Sequence, residues 1–307
     1  MEPRVVANGL RFPEGPLEMP GGDIVLVEIR GGVLTRVRPD GTKALFATTG
    51  GGPNGAALGP DAAVYVCNNG GLQMHERRRP DGSTRVFPGE QPDDYSGGRI
   101  ERVTTTGEVT VLYRECNAEP LKGPNDIVFD AEGNFYFTDL GKTRPRARDR
   151  GAVHYASPDG KMIREIVFPM EMPNGIGLSP DGKTLYVAET ATARLWAFTL
   201  EGPGQPANGR VLAYIPGVPP TYRASLDSLC VDGEGNILVA TITNGGITSI
   251  SPDGATQTFT PCGDPMTTNA CFGGPDLRTL YVTVSSTGQM IAFDDWPTKG
   301  LKLHFQE

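Results

Sequence analysis

Six short segments of this chain place an oxygen-bearing side chain at the same point of a repeated pattern. FPEGP, GPNGA, GPNDI, MPNGI, SLDSL and TTNAC contribute Glu14, Asn54, Asn125, Asn174, Asp227 and Asn269. Glutamate, aspartate and asparagine share a carbonyl or carboxylate oxygen able to ligate a hard cation. Glu14 and Asp227 would balance a divalent charge, and Asn125 and Asn174 would add neutral oxygens. Such a set suits Ca²⁺, Mg²⁺ or Mn²⁺, whereas zinc ordinarily takes His or Cys. His75, His154 and His304 are scattered without ligand spacing and read as ordinary exposed or hairpin residues. Turn chemistry explains asparagine in Pro-Asn-Gly. It does not explain Glu14, nor Asp227 in a segment without Pro or Gly.

What positions these residues is a repeated hairpin. The copies are LEMPGGDIVLVEI (17–29), LGPDAAVYVCN (58–68), FDAEGNFYFTD (129–139), LSPDGKTLYVAE (178–189), VDGEGNILVAT (231–241) and FGGPDLRTLYVTV (272–284). Each passes from apolar residues through a Gly/Asp/Pro turn into an apolar or alternating run, as β-hairpins do. A further strand-like segment follows each copy, such as GAVHYASPDG (151–160), and then another, such as KALFAT (43–48). Four short antiparallel strands recurring six times predict an all-β chain, a six-bladed β-propeller, in one domain over residues 1–307. The last blade is short, so PRVVAN (3–8) or LKLHF (301–305) must complete it. Equivalent positions of a propeller converge on its axis, which makes the six polar residues a ring at one mouth of the channel.

With 41 glycines and 27 prolines in 307 residues the chain is turn-rich, yet below the ~25–30% of low-complexity disorder. The 36 acidic residues outnumber 28 basic ones, which argues against nucleic acid as a partner. No run of 18 apolar residues predicts a membrane span, and the N-terminus lacks a signal peptide's apolar stretch. The five cysteines, Cys67, Cys116, Cys230, Cys262 and Cys271, form no CxxC pair. They read as reduced, mostly buried thiols of a cytoplasmic protein, with Cys230 and Cys271 facing the blade core. There is no G-x-S-x-G elbow, Walker A loop or G-x-G-x-x-G opening a helix, so nucleotide, PLP and flavin chemistry are set aside.

Loops joining second to third strands open on the face of the ring. The second blade has a long insertion there, residues 68–97, which reads as a lid. The third has LGKTRPRARDRG (140–151), with Lys142, Arg144, Arg146, Arg148 and Arg150. These basic loops could attract a substrate bearing a carboxylate, with Arg144 as a candidate substrate-binding residue.

Taken together, FPEGP, GPNDIVFDAEGNFYFTD, MPNGIGLSPDGKTLYVAET and SLDSLCVDGEGNILVA resemble the senescence-marker-protein/gluconolactonase/luciferin-regenerating-enzyme family of six-bladed propeller hydrolases, over nearly the whole chain. The resemblance implies one catalytic divalent metal held by Glu14, Asn125, Asn174 and Asp227, with Ca²⁺ first and Mg²⁺, Mn²⁺, Fe²⁺ or Zn²⁺ open. It implies hydrolysis of a small-molecule lactone to a hydroxy acid, with Asp227 as general base or nucleophile. Asn125 would hold the metal and orient substrate oxygens, and Asn54 and Asn269 would donate hydrogen bonds to substrate. Monomer and homo-oligomer are both open. The squid-type diisopropylfluorophosphatase is a more distant likeness. Where its second buried calcium takes an Asp and a His, this chain has Cys230 and Cys271, and Ser285 stands where it has a further site histidine. Organophosphate or other ester hydrolysis is therefore the alternative, and a non-catalytic calcium- or partner-binding propeller the third reading.

Overall fold

The second strands of the hairpins set the architecture, because they are apolar on both faces. Ile24–Glu28, Val64–Asn68 and Phe135–Asp139 are buried at every residue. Alternate side chains point to opposite faces of a strand. Val25 and Val27 accordingly pack with Leu58, Val64 and Val66, while Ile24 and Leu26 pack with Ala7 and Met290. A sheet that must be covered on both sides, repeated six times, is satisfied when the sheets stand side by side in a closed ring.

The computed structural model, which describes residues 1–217 and 224–306, has six four-stranded antiparallel sheets arranged as a six-bladed β-propeller. The innermost strands are Pro13–Glu18, Pro53–Leu58, Pro124–Phe129, Pro173–Leu178, Ser225–Val231 and Thr267–Gly273. Each contacts its neighbours around the axis. Between successive blades lies one apolar cluster, and the six clusters close the circle. Tyr65, Phe129 and Phe135 fill the boundary of blades two and three, for example. Each fully buried side chain of this size contributes about 1.5–3 kcal/mol.

The sixth blade is completed by the N-terminus. Arg4–Ala7 pairs antiparallel with Gln289–Phe293, Arg4 opposite Ala292 and Val5 opposite Ile291. The C-terminal LKLHF is not a strand. Leu301–Gln306 instead runs beneath the channel, with Phe305 edge-on to Phe129 at 5.7 Å. Among the described residues no helix is long and apolar enough to cross a membrane.

His154 departs from the sequence expectation of an exposed residue. It is buried in the third strand of blade three, its ring stacked on Phe137 at 4.8 Å. The apolar run around it, GAVHYA, is buried throughout, so the imidazole is carried inside with its neighbours. Burial pushes its pKa down to about 4, against a smaller opposing pull from Asp139. The folded value lies below the unfolded value of about 6.5, so the neutral ring's contribution is complete above that pH. It is lost as pH falls toward about 4. Urea midpoints of wild type should fall more steeply between those limits than those of His154→Leu, by on the order of 3 kcal/mol at the acid end. Parallel pH slopes for the two proteins would show that the ring is not held neutral.

Candidate functional site

The ring residues are aimed by an irregularity shared by all six inner strands. Pro53 pairs with Asn68, yet Ala56 pairs with Val66, so one extra residue lies in the inner strand. The same slip separates Pro124 from Ile127, Pro173 from Ile176 and Leu226 from Leu229. In the first blade it falls between Glu14 and Leu17. A β-bulge of this kind bends the strand and re-aims a side chain. Here it turns Glu14, Asn54, Asn125, Asn174 and Asp227 toward the axis, where all five line one cleft of about 870 Å³.

The sixth blade corrects the sequence alignment. Thr267 pairs with Val284 and Ala270 with Val282, which puts Thr268 in the ring slot and Asn269 one residue further along. Asn269 therefore lies level with Gly15, Asp126 and Ser228, and lines the cavity below the ring rather than the cleft. Its Nδ2 donates to Glu14 Oε2 at 2.7 Å, and its Oδ1 accepts the Ala270 N–H. Asn269 thus fixes Glu14 and presents no free amide to a substrate.

A second set of polar residues anchors the loops entering the inner strands. Glu28, Asn68, Asp139 and Glu189 each pair with the proline that precedes a ring residue. Glu28 accepts the Arg11 N–H, Asn68 Oδ1 the Gly52 N–H, and Glu189 the Glu171 N–H. Asp139 accepts those of Lys122, Gly123 and Gly141 at 2.7–2.9 Å. These bonds tie down backbone that has no ladder partner of its own.

The charge in the cleft is unbalanced. Glu14 is 2% exposed, and its Oε2 accepts the Gly15 N–H at 2.7 Å. Burial holds its carboxyl well above the usual range, and the negative charges of Asp227 and Asp126 push the same way. Burial, with Asp126 adding to it, pushes Asp227 up to about 8. Asp126 itself is pushed up to about 7 by burial. Among the described residues no basic side chain lowers any of the three.

The amide oxygens Asn125 Oδ1 and Asn174 Oδ1 are buried without a hydrogen-bond partner, although Asn174 is hydrogen-bonded to Asp227. Buried polar atoms are seldom left so. Among the described residues no three His, Cys, Asp or Glu side chains are grouped to hold a metal on their own. A cation here would therefore draw on amide oxygens, and two are free. The donor set, two carboxylates and two amide oxygens, fits a hard divalent cation.

Other expectations fall differently. Arg144 does not line the cleft; it is held on the rim by Asp149 at 3.0 Å and Gln91 at 3.2 Å. Arg150 pairs with Glu171. Cys230 packs against the apolar cluster between blades five and six, as expected, and both it and Cys271 line the cavity of about 1150 Å³ below the ring, which the C-terminal tail borders. Ser285 is buried against the Pro13 carbonyl at 2.6 Å. The insertion after Asn68 forms a hairpin, Met74–Arg78 with Thr84–Pro88, that crosses toward blade six, where Arg85 meets Asp264 at 3.1 Å. Leu72, Pro88 and Gly89 from this insertion line the cleft. Sequence reasoning missed three residues: Asp126, Asn69 and Lys142 as a cleft residue. Only Asp126 carried a signal, an acid where GPNGA and MPNGI have glycine.

The profile of the SMP-30/Gluconolactonase/LRE-like region matches residues 12–286. The chain is 24% identical over 315 residues to the gluconolactonase of Zymomonas mobilis, a match spanning 92% of this chain and 78% of that one. It is 30% identical over 204 residues to the diisopropyl-fluorophosphatase of Loligo vulgaris, covering 62% and 63% of the two. In fold it superimposes on the crystal structure of the calcium-binding protein regucalcin from Agrobacterium tumefaciens with a TM-score of 0.74 at 20% identity, over 98% of each chain. The profile match spans both carboxylates and all the asparagines of the cleft, and by it this chain belongs to the SMP-30/gluconolactonase/LRE-like family.

Proposed function

We propose that this chain is a metal-dependent lactonase, hydrolysing the ester bond of a small lactone to a hydroxy acid. One observation carries the reading. Two desolvated carboxylates and two unbonded amide oxygens converge at the floor of a cleft sized for a small molecule. Similarity to a gluconolactonase over most of both chains supports lactones as the substrate class. Glu14, Asn125, Asn174 and Asp227 would hold one divalent cation, Ca²⁺ first, and the cation would act as a Lewis acid on the ester carbonyl.

The chain's own residues do the rest. Asn269 and the Gly15 N–H fix the Glu14 carboxylate from below, leaving its other oxygen for the cleft. Asn174 stands beside Asp227 and favours its ionised form, opposing the effect of burial. Asp227 takes a proton from the water that attacks the ester carbon. That proton then passes to the ring oxygen as the C–O bond breaks. Direct attack by the Asp227 carboxylate is the competing route. Asn54 offers a hydrogen-bonding amide on the blade-two wall. Phe12, Ile29, Ile242 and Met266 form an apolar wall that keeps bulk water from the ester.

In a pH-stat screen of sugar and aromatic lactones with added Ca²⁺, Asp227→Asn should cost at least 10³-fold in kcat. EDTA should remove activity reversibly. Full activity in either condition would end this mechanism. The melting temperature should rise with Ca²⁺ in wild type, and Asn125→Ala and Asn174→Ala should each shift the midpoint of that rise to at least tenfold higher Ca²⁺. A midpoint unmoved in both variants would mean the amide oxygens are not ligands.

Single turnover in H₂¹⁸O separates base from nucleophile. Label goes directly into the product carboxylate if Asp227 is the base, and into the protein first if it is the nucleophile. Organophosphate hydrolysis is the second reading, favoured by the 30% identity to diisopropyl-fluorophosphatase. Faster turnover of phosphotriesters than of every lactone would establish it.

A further inference from the structure

Across the cleft from the acids, the wall built by blades two and three carries the opposite charge. The Lys142 side chain is only 2% exposed and lines the cleft. Its Nζ donates to the Gly71 carbonyl at 2.7 Å, lies 3.5 Å from Asn69 Oδ1, and sits over the Tyr95 ring at 5.1 Å. No carboxylate is within ion-pairing distance of it among the described residues. The two nearby acids are engaged elsewhere: Asp139 accepts three backbone N–H groups, and Asp149 pairs with Arg144 and Lys122. Asp139 and Asp149 favour the ammonium only from a distance, and burial outweighs them, so a directly paired anion would stabilise it.

Asn69 stands beside it, 3% exposed and also lining the cleft. Its Oδ1 accepts the Gly71 N–H at 2.9 Å, which fixes the amide, and its Nδ2 has no partner. Gly52 packs so closely that a Cβ there would lie 2.4 Å from Asn69 Oδ1. The amide is therefore locked from behind as well. One cation and one unspent amide donor are held rigidly next to each other, facing the same space as the proposed catalytic residues.

We propose that Lys142 and Asn69 bind a carboxylate carried by the substrate, so that the preferred substrates are lactones bearing a carboxylate substituent. This rests on the lactonase reading and names its substrate class. One ammonium and one amide match the single charge and two oxygens of a carboxylate. A phosphate monoester would bring nearly twice that charge, and among the described residues no arginine lines the cleft to meet it. Among the described residues, the cleft lining from blades one, five and six is apolar apart from Glu14 and Asp227, and blade four adds no charge, only Met172, Asn174 and Thr190. The substituent is thereby confined to the one wall that can receive it.

The test compares a γ-lactone carrying a ring carboxylate, its carboxamide, and a phosphorylated sugar lactone, all with Ca²⁺-loaded protein. Wild type should prefer carboxylate over carboxamide by tenfold or more in kcat/KM, mainly through KM. Lys142→Met should bring that ratio to within about threefold of one. Asn69→Asp, which gives the ammonium an internal partner, should do the same if the lysine variant fails to fold. The ratio is independent of how much protein is active. A wild-type ratio near one, a ratio unmoved in both variants, or faster turnover of the phosphorylated lactone overturns the assignment.

If no lactone of any kind is turned over, the lactonase reading falls, and binding still decides this site. Calorimetry with tetrahydrofuran-2-carboxylate against its carboxamide should show preference for the acid in wild type and lose it in Lys142→Met. Equal binding of the two by wild type overturns the proposal.

Discussion

Everything in this molecule depends on how closely the six inner strands approach the axis. A Cβ on Gly55 would lie 2.4 Å from the Asn125 carbonyl oxygen, and one on Gly175 would lie 2.6 Å from the Leu229 nitrogen. Glycine lets blades one, two and four press on the next blade at that level, where a side chain would wedge them apart, while blades three, five and six carry Asp126, Ser228 and Asn269 there. Gly15 adds a left-handed backbone, at φ +47°, to the same requirement. Tight approach just beyond the bulges is what brings side chains from different blades to a common point. The apolar clusters between blades supply the free energy, but they would tolerate a wider channel. The glycines fix its width.

That closeness has an electrostatic consequence. Glu14 and Asp227 come from blades one and five, far apart in sequence; burial raises the proton affinity of both, and the charge of Asp227 raises that of Glu14 further. Asp126, from blade three, adds a third negative charge just below. Three acids facing one another without a basic partner among the described residues favour either protons or a cation. Asn125 Oδ1 and Asn174 Oδ1, both unpaired, would give a cation two neutral ligands at the same point.

The fold was legible because its cause is local and periodic. Apolar hairpins with Gly/Asp turns recur, and the closing N-terminal strand was one of two candidates on that ground. Five of the six ring positions were readable for the same reason, since the bulge falls at a fixed distance from each hairpin, in four of the five directly after a proline. The sixth was not. Matching by residue type chose Asn269, whereas hydrogen-bond register puts Thr268 in the slot, and register is set by pairing with a partner strand that type-matching ignores. His154 misled for a related reason: its strand is buried on both faces, which a single polar residue in the run does not announce. Lys142 and Arg144 sit two residues apart in one basic loop, yet one lines the cleft and the other is held by Asp149 on the rim. Only the short hairpin that pairs Thr143 with Arg148 decides which side chain turns inward.

The ring also divides the channel into two unlike spaces, and the division argues for which one does chemistry. Below it the walls are mostly apolar, with Cys230 and Cys271 among them and the C-terminal tail across the opening. Cysteine thiols there are pushed up by burial, so they are poor nucleophiles and poor ligands at neutral pH. Above the ring stand, among the described residues, two carboxylates, two unpaired amide oxygens, an ammonium without an ion pair and an unpaired amide nitrogen. Asp126 belongs to the lower space by position, yet its charge acts on Glu14 and Asp227. It can strengthen cation binding above without meeting a substrate, and Gly55 makes room for it, since a Cβ there would lie 2.8 Å from Asp126 Oδ1. The small residue that lets two blades touch is therefore also the one that lets a third carboxylate sit under the site.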